Sequence, residues 1–172
     1  MPSTWFQWHA ALINSGSLVL DLACGDGTEA IAAARRGARV IAIDNDPQRI
    51  EAARQAAAKA HVEVEWIRGD LTSDPLPEGP FDVVMMFEYL DRARMPDFLA
   101  RVRPGGYFLG ETFLVQQREL GWGPTSDEHL LTFGEFWSLV EPLEIVLARE
   151  VLEILDGHTK AVSSILARRP LE

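Results

Sequence analysis

Between residues 17 and 115 the chain alternates short apolar runs with helix-forming stretches, and this alternation limits its possible folds more than any other feature. "SLVLDL" (17–22), "ARVIAID" (38–44), "VEVEWI" (62–67), "FDVVMMFEYL" (81–90) and "GGYFLGETFLV" (105–115) read as strands. "TEAIAAARRG", "QRIEAARQAAAKA" and "RMPDFLARV" between them read as helices, and Asp46-Pro47 supplies an N-cap acid with proline at the first helical position. Such alternation predicts a parallel sheet with right-handed crossovers.

After residue 115 the pattern changes. "QQRELGWGPTSDEH" (116–129) is a polar loop and "LTFGEFWSLV" a helix, while "LEIVLAREVLEIL" and "AVSSILARR" are strands joined through Asp156-Gly157, a hairpin signal. The expectation is an α/β fold with seven strands, mostly parallel, helices on both faces and an antiparallel C-terminal hairpin. No linker or repeat divides the 172 residues, so they form one domain. Within it, 1–16 is an N-terminal helix or lid, 17–115 the ligand-binding core, and 116–170 a substrate loop, helix and closing hairpin.

Ligands of such sheets sit at the carboxyl ends of the strands, beside the switch point. The first strand ends in "DLACGDGTEA", whose Gly25-x-Gly27-x-x-Ala30 spacing matches a dinucleotide fingerprint. Asp44 follows Gly25 by 19 positions, where a ribose-binding acid is expected. The spacing alone fits NAD as well as another nucleoside cofactor. The acids separate the two. A carboxylate about 4 Å from a phosphate charge costs about 4 kcal/mol at an effective dielectric of about 20. Asp21 and Asp26 therefore oppose a pyrophosphate and suit a ligand carrying an ammonium and a sulfonium, which is S-adenosylmethionine. Asp70, in "RGDL" after the third strand, adds an acid at the same sheet edge.

"VLDLACGDGTEA", "VIAIDNDP", "IRGDL" and "RVRPGGYFLGETF" resemble successive motifs of the class I S-adenosylmethionine-dependent methyltransferases. "FEYLDRARMPDFLARV" and "DEHLLTFGEFWSLV" are similar to segments of the small tellurite-resistance TehB-like group. The resemblance implies a Rossmann-like sheet and methyl transfer to a small-molecule acceptor. It implies that Asp21, Ala23, Cys24, Gly25, Asp26 and Gly27 wrap the methionine part of the cofactor. Asp44, with Asn45 beside it, would take the ribose, Asp70 and Leu71 the adenine, and Phe87 to Leu90 the wall beside the methyl group.

Glu88, Tyr89, Arg92 and Glu111 are the candidate substrate-facing residues. Tyr89 and Arg92 would orient or neutralise the acceptor, with Glu88 or Glu111 as proton acceptor. Alternatively, Arg92 pairs with Asp91 or a helix end and Tyr89 packs. The aromatic surplus Trp5, Phe6, Trp8 and Trp122 is expected mainly to pack. Cys24 is expected to fill the loop, His129 to lie on the surface, and His158 at a hairpin tip far from the cofactor. No histidine has a ligand-spaced partner, so no metal site is expected.

The net charge of −10 works against nucleic-acid and anionic-membrane partners. The N-terminus lacks a signal-peptide pattern and the single cysteine fits a reducing compartment, so a cytoplasmic location is expected. An NAD-dependent oxidoreductase, and a methyltransferase-like scaffold without turnover, remain as alternatives. The oligomeric state is not legible.

Overall fold

The computed structural model describes residues 1–172. Seven strands form one sheet in the order β3-β2-β1-β4-β5-β7-β6. β1 (Leu18–Leu22), β2 (Arg39–Asp44), β3 (Glu65–Arg68), β4 (Phe81–Phe87) and β5 (Val102–Phe113) are parallel neighbours. β7 (His158–Arg168) inserts between β5 and β6 (Glu144–Leu155) and runs antiparallel to both. The chain switches direction across the sheet between β1 and β4, which opens a crevice at their carboxyl ends.

Helices cover both faces. α1 (Thr4–His9), α2 (Thr28–Arg35) and α3 (Pro47–Lys59) pack on one, through Trp5, Phe6, Ala30, Ala33 and Ile50 against Val19, Val40, Val83 and Leu109. α4 (Met95–Ala100) and α5 (Glu135–Leu139) pack on the other, where Phe98 and Phe136 meet Leu20, Val84 and Phe108. These central strands are apolar on both faces because both faces are covered. α3 starts where the sequence places it: Asp46 Oδ1 accepts the Gln48 and Arg49 N–H groups, a cap contributing about 1 kcal/mol.

The hairpin turn follows the Asp-Gly signal, with Asp156 and Gly157 at φ 52° and 79°, the left-handed pair that a two-residue turn needs. Several boundaries differ from expectation, β3 among them, which starts at Glu65 rather than Val62. β5 begins at Val102 rather than at Gly105, because its start pairs with Phe81 across a register shift. The helix expected over 131–140 is confined to Glu135–Leu139, since Leu131 bridges to Leu114 as extended chain. The segment 116–129 contains two 3-10 turns, Val115–Leu120 and Asp127–His129. Gln117, fully buried, fixes the first of them: its amide donates to the Trp122 carbonyl and accepts from the Ala161 N–H.

Phe108 is fully buried and meets the Phe136 ring edge-on at 6.2 Å between centroids. Phe108→Ala is expected to destabilise the fold by about 3–5 kcal/mol, read as a lower urea midpoint with an unchanged m value.

Candidate functional site

The loop after β1 turns sharply. Ala23 adopts φ 55°, a left-handed conformation that costs a non-glycine residue on the order of 1 kcal/mol. The turn is fixed from β2: Cys24 N–H donates to the Ile43 carbonyl, and Gly25 N–H donates to Asp44 Oδ2 at 2.8 Å. The other Asp44 oxygen accepts the Asp46 N–H at 2.9 Å. One carboxylate thereby joins the first loop to the turn that begins α3, and each oxygen retains a further lone pair for a ligand.

A cavity of about 980 Å³ opens over the carboxyl ends of β1, β2, β4 and β5. Asp21, Ala23, Cys24, Gly25 and Asp26 line one part, with Asp44 and Asn45. Asp70, Leu71 and Phe87 continue the wall, and Glu88, Tyr89 and Glu111 lie at the other end. The structure thus gathers all but two of the expected residues around one space.

The first exception is Gly27. It adopts φ 79° at the N-cap of α2, outside the cavity, and a Cβ there would stand 2.5 Å from the Trp66 ring and 3.0 Å from Ala53 Cβ. This glycine admits Trp66 beneath the loop and, unlike the expectation for it, does not line the cavity. The second is Arg92. Its guanidinium forks onto both Glu135 oxygens and also donates to the carbonyls of Asp127, Glu128 and Leu130. It does not line the cavity and instead holds the 127–130 segment against the start of α5, where the expectation had it orienting the substrate.

The electrostatics are dominated by acids. Asp21 is buried, and its Oδ2 has no hydrogen-bond partner. Burial, then the nearby Glu29 and Asp44, raise its carboxyl well above the usual range. Glu29, in the first turn of α2, is also raised by burial, although it accepts the Ser3 N–H at 2.9 Å. A buried acid with one unmet oxygen, beside the half-buried Glu29, forms a place for a cation. Asp26 is exposed and receives the Thr28 N–H and hydroxyl just before α2 while also lining the cavity. Asp70 accepts the N–H and hydroxyl of Thr72, which hold it below the ordinary carboxylate range. Burial pushes the Cys24 thiol up, so it stays protonated. Burial and the neighbouring Asp91 and Asp70 push the Tyr89 phenol to about 12.

At the far end the sheet supplies an ion cluster. Glu111 on β5 is 1% exposed and accepts from Ser164 Oγ at 2.6 Å, while its Oε1 has no hydrogen bond. Lys160 on β7 places Nζ 3.5 Å from Glu88, 3.6 Å from Glu111 and 4.0 Å from Glu153. Arg149 on β6 bridges Glu111 and Glu153. Burial raises the Glu111 carboxyl, a shift opposed by Ser164, Lys160 and Arg149. Glu88 itself sits at φ 53°, a second left-handed residue at a strand end facing the cavity.

Sequence reasoning missed Glu29, Arg49, Lys160 and His158, all of which line the cavity. His158 had been expected far from it, but the hairpin extends beyond the carboxyl end of β5 and brings its tip over the site. The available signal was Lys160, a lone charge entering the otherwise buried run "AVSSILA". Trp122 and His129 also line the cavity. Trp5 packs as expected, fully buried with its Nε1 donating to the Ile165 carbonyl.

Residues 19–106 match the family model described as a methyltransferase domain. The ribosomal protein L11 methyltransferase of Symbiobacterium thermophilum is 33% identical over 131 residues, 74% of this chain and 42% of that protein. The chain thus spans less than half the length of this relative. Among solved structures, TehB from Haemophilus influenzae superposes with a TM-score of 0.77 at 19% identity, covering 94% of this chain and 60% of that one. The N-methyltransferase NodS from Bradyrhizobium japonicum, solved with S-adenosyl-l-homocysteine, gives 0.72 at 18% identity, covering 95% and 86%. These structural likenesses show a common fold.

Arg92→Ala is expected to destabilise the protein by about 1–3 kcal/mol, because it strands Glu135 and three carbonyls. Affinity for S-adenosylhomocysteine, whose expected contacts lie at the Asp21 and Asp44 end, should stay the same, which calorimetry on the folded variant checks.

Proposed function

The chain belongs to the methyltransferase-domain family, and from that premise we propose that it transfers the methyl group of S-adenosylmethionine to a small-molecule acceptor. The observation carrying this reading is the unpartnered, buried Asp21 Oδ2, beside Glu29, on the wall of the cavity. A cationic ligand relieves that arrangement, whereas a dinucleotide would bring phosphate charge against Asp21 and Asp26.

In this reading Asp21, Glu29 and the 23–26 turn hold the methionine part, Asp44 with Asn45 the ribose, and Asp70 with Leu71 the adenine. When bound, the cofactor supplies an electrophilic methyl on a sulfonium. The protein's contribution is alignment and exclusion of water, and holding two reactants in register is worth up to about 7–11 kcal/mol. Phe87, Tyr89 and Leu90 form an apolar wall beside the cofactor end, and Glu88 and Glu111 lie where an acceptor would meet the methyl group.

Trp122, His129 and the hairpin tip from Leu155 to His158 wall the mouth, which favours a small acceptor over a folded protein. The name of the Symbiobacterium relative points instead to a protein acceptor, but that protein has more than half its length outside the matched region. A scaffold without turnover is separated by assay: methyl transfer to none of a broad panel of small amines, thiols, carboxylates and metalloid oxyanions would favour it.

Two measurements test the reading. S-Adenosylhomocysteine at about 100 times its Kd should stabilise the protein by about 2.7 kcal/mol, and NAD should leave the melting temperature unchanged. Stabilisation by NAD alone would overturn the proposal. The pH dependence supplies the second. Because the folded state holds the Asp21 proton above the unfolded value of about 3.9, ligand-free stability falls as pH rises from there through the folded-state pKa. Asp21→Asn should therefore raise the ligand-free melting temperature at pH 7 while weakening S-adenosylhomocysteine at least tenfold.

A further inference from the structure

We propose that the methyl acceptor is an amine, recognised as its ammonium by Glu88 and Glu111 against the aromatic wall of Trp122 and Phe113; this deepens the methyltransferase reading and rests on it.

The cavity is lined by nine carboxylate side chains, and Arg49 and Lys160 are its only arginine and lysine. Six of those acids belong to the cofactor end: Asp21, Asp26, Glu29, Asp44, Asp46 and Asp70. Of the other three, Asp156 pairs with the N-terminal ammonium at the hairpin tip, and Glu88 and Glu111 lie where the acceptor must bind. Lys160 does not convert that end into an anion site, because its ammonium already lies within 4.0 Å of Glu88, Glu111 and Glu153. Arg149 is likewise engaged by Glu111 and Glu153, and its guanidinium stacks over Trp5 and Trp8 outside the cavity. Three carboxylates thus face two cations. Within this cluster Glu111 Oε1, on a residue 1% exposed, has no hydrogen-bond partner. An oxyanion would be repelled here, and a neutral thiol or alcohol would leave the excess charge unanswered. An ammonium supplies the hydrogen bond that Glu111 Oε1, 3.6 Å from the Lys160 ammonium, does not receive, and answers the excess charge.

The aromatic wall favours the same ligand. Trp122 lines the cavity and is held by its Nε1 donating to the Thr159 carbonyl at 2.8 Å, with Phe113 edge-on at 5.9 Å between centroids and His158 at 5.4 Å. A cation near such rings is attracted by the negative faces of their π-systems.

Aliphatic amines are protonated at neutral pH, as lysine with a pKa of about 10.4 shows, so the nitrogen must release a proton before it can attack. Glu111, whose affinity for a proton burial has raised, receives it at Oε1. The freed lone pair forms the N–C bond while the C–S bond breaks and its pair stays on sulfur as a thioether. The methylated amine departs as its ammonium, and Glu111 returns its proton to solvent.

An isosteric series separates charge from shape. Protein saturated with S-adenosylhomocysteine is titrated calorimetrically with benzylamine, benzyl alcohol, benzyl mercaptan, benzoate and selenite. Benzylamine should bind at least tenfold tighter than the alcohol or the thiol, and the two anions should not bind. Glu88→Gln and Glu111→Gln should each weaken benzylamine at least tenfold while keeping S-adenosylhomocysteine affinity, and Trp122→Leu should weaken it severalfold. Glu88→Gln, on an exposed side chain, keeps the test decisive if Glu111→Gln compromises folding. Binding of benzoate or selenite, no binding of benzylamine, or benzylamine affinity indifferent to both glutamate substitutions would overturn the amine assignment and leave the methyltransferase reading standing. Failure to bind S-adenosylhomocysteine at all would overturn both.

Discussion

The site depends on one side chain that serves the backbone before any ligand arrives. Asp44, at the end of β2, receives the N–H of Gly25 on one oxygen and that of Asp46 on the other. A charged acceptor makes such bonds about twice as strong as neutral pairs. The loop after β1 is thereby fixed in a turn that places left-handed backbone at Ala23, and α3 is started at its Asp46 cap. Trp66 supports the turn from below by filling the space that Gly27 leaves open. Without this joint the two strand ends would be independent loops, and their acids would not share a cavity.

That sharing is electrostatically unfavourable in the free protein. Burial, and then the nearby Glu29 and Asp44, make the Asp21 carboxylate costly to ionise, and burial does the same to Glu29. The fold tolerates this strain because the sheet beneath is thoroughly packed, with Val19, Leu20, Val83, Val84 and Leu109 all essentially inaccessible. Binding function and stability are thus set against each other at the first strand end, a common feature of sites built before their ligand arrives.

The opposite end is organised by the antiparallel insertion of β7. Its register sets Ser164 beside Glu111 on one side and Arg149 on the other, and continues to Lys160 at the cavity floor. Residues from four strand ends thereby form one ion cluster. The 115–130 segment is held over it by Gln117 from below and by Arg92, which binds three of its carbonyls. Arg92 therefore shapes the site from outside it.

The local pattern made the fold legible: the β–α alternation, the Asp46-Pro47 helix start and the Asp156-Gly157 turn are decided by residues within a few positions of one another. The acids of the cofactor end were legible for the same reason, since each closes its own strand. Arg92, Gly27, Lys160 and His158 were not, because their roles depend on partners distant in the chain, 36 positions for Arg92 and Glu128 and 72 for Lys160 and Glu88. The sequence alone determined a parallel α/β sheet with a cation-seeking loop at its switch point, since periodicity and loop charge are local properties. Only the tertiary structure decided what surrounds the acceptor, because strand register and the insertion of β7 between β5 and β6 choose which distant charges meet.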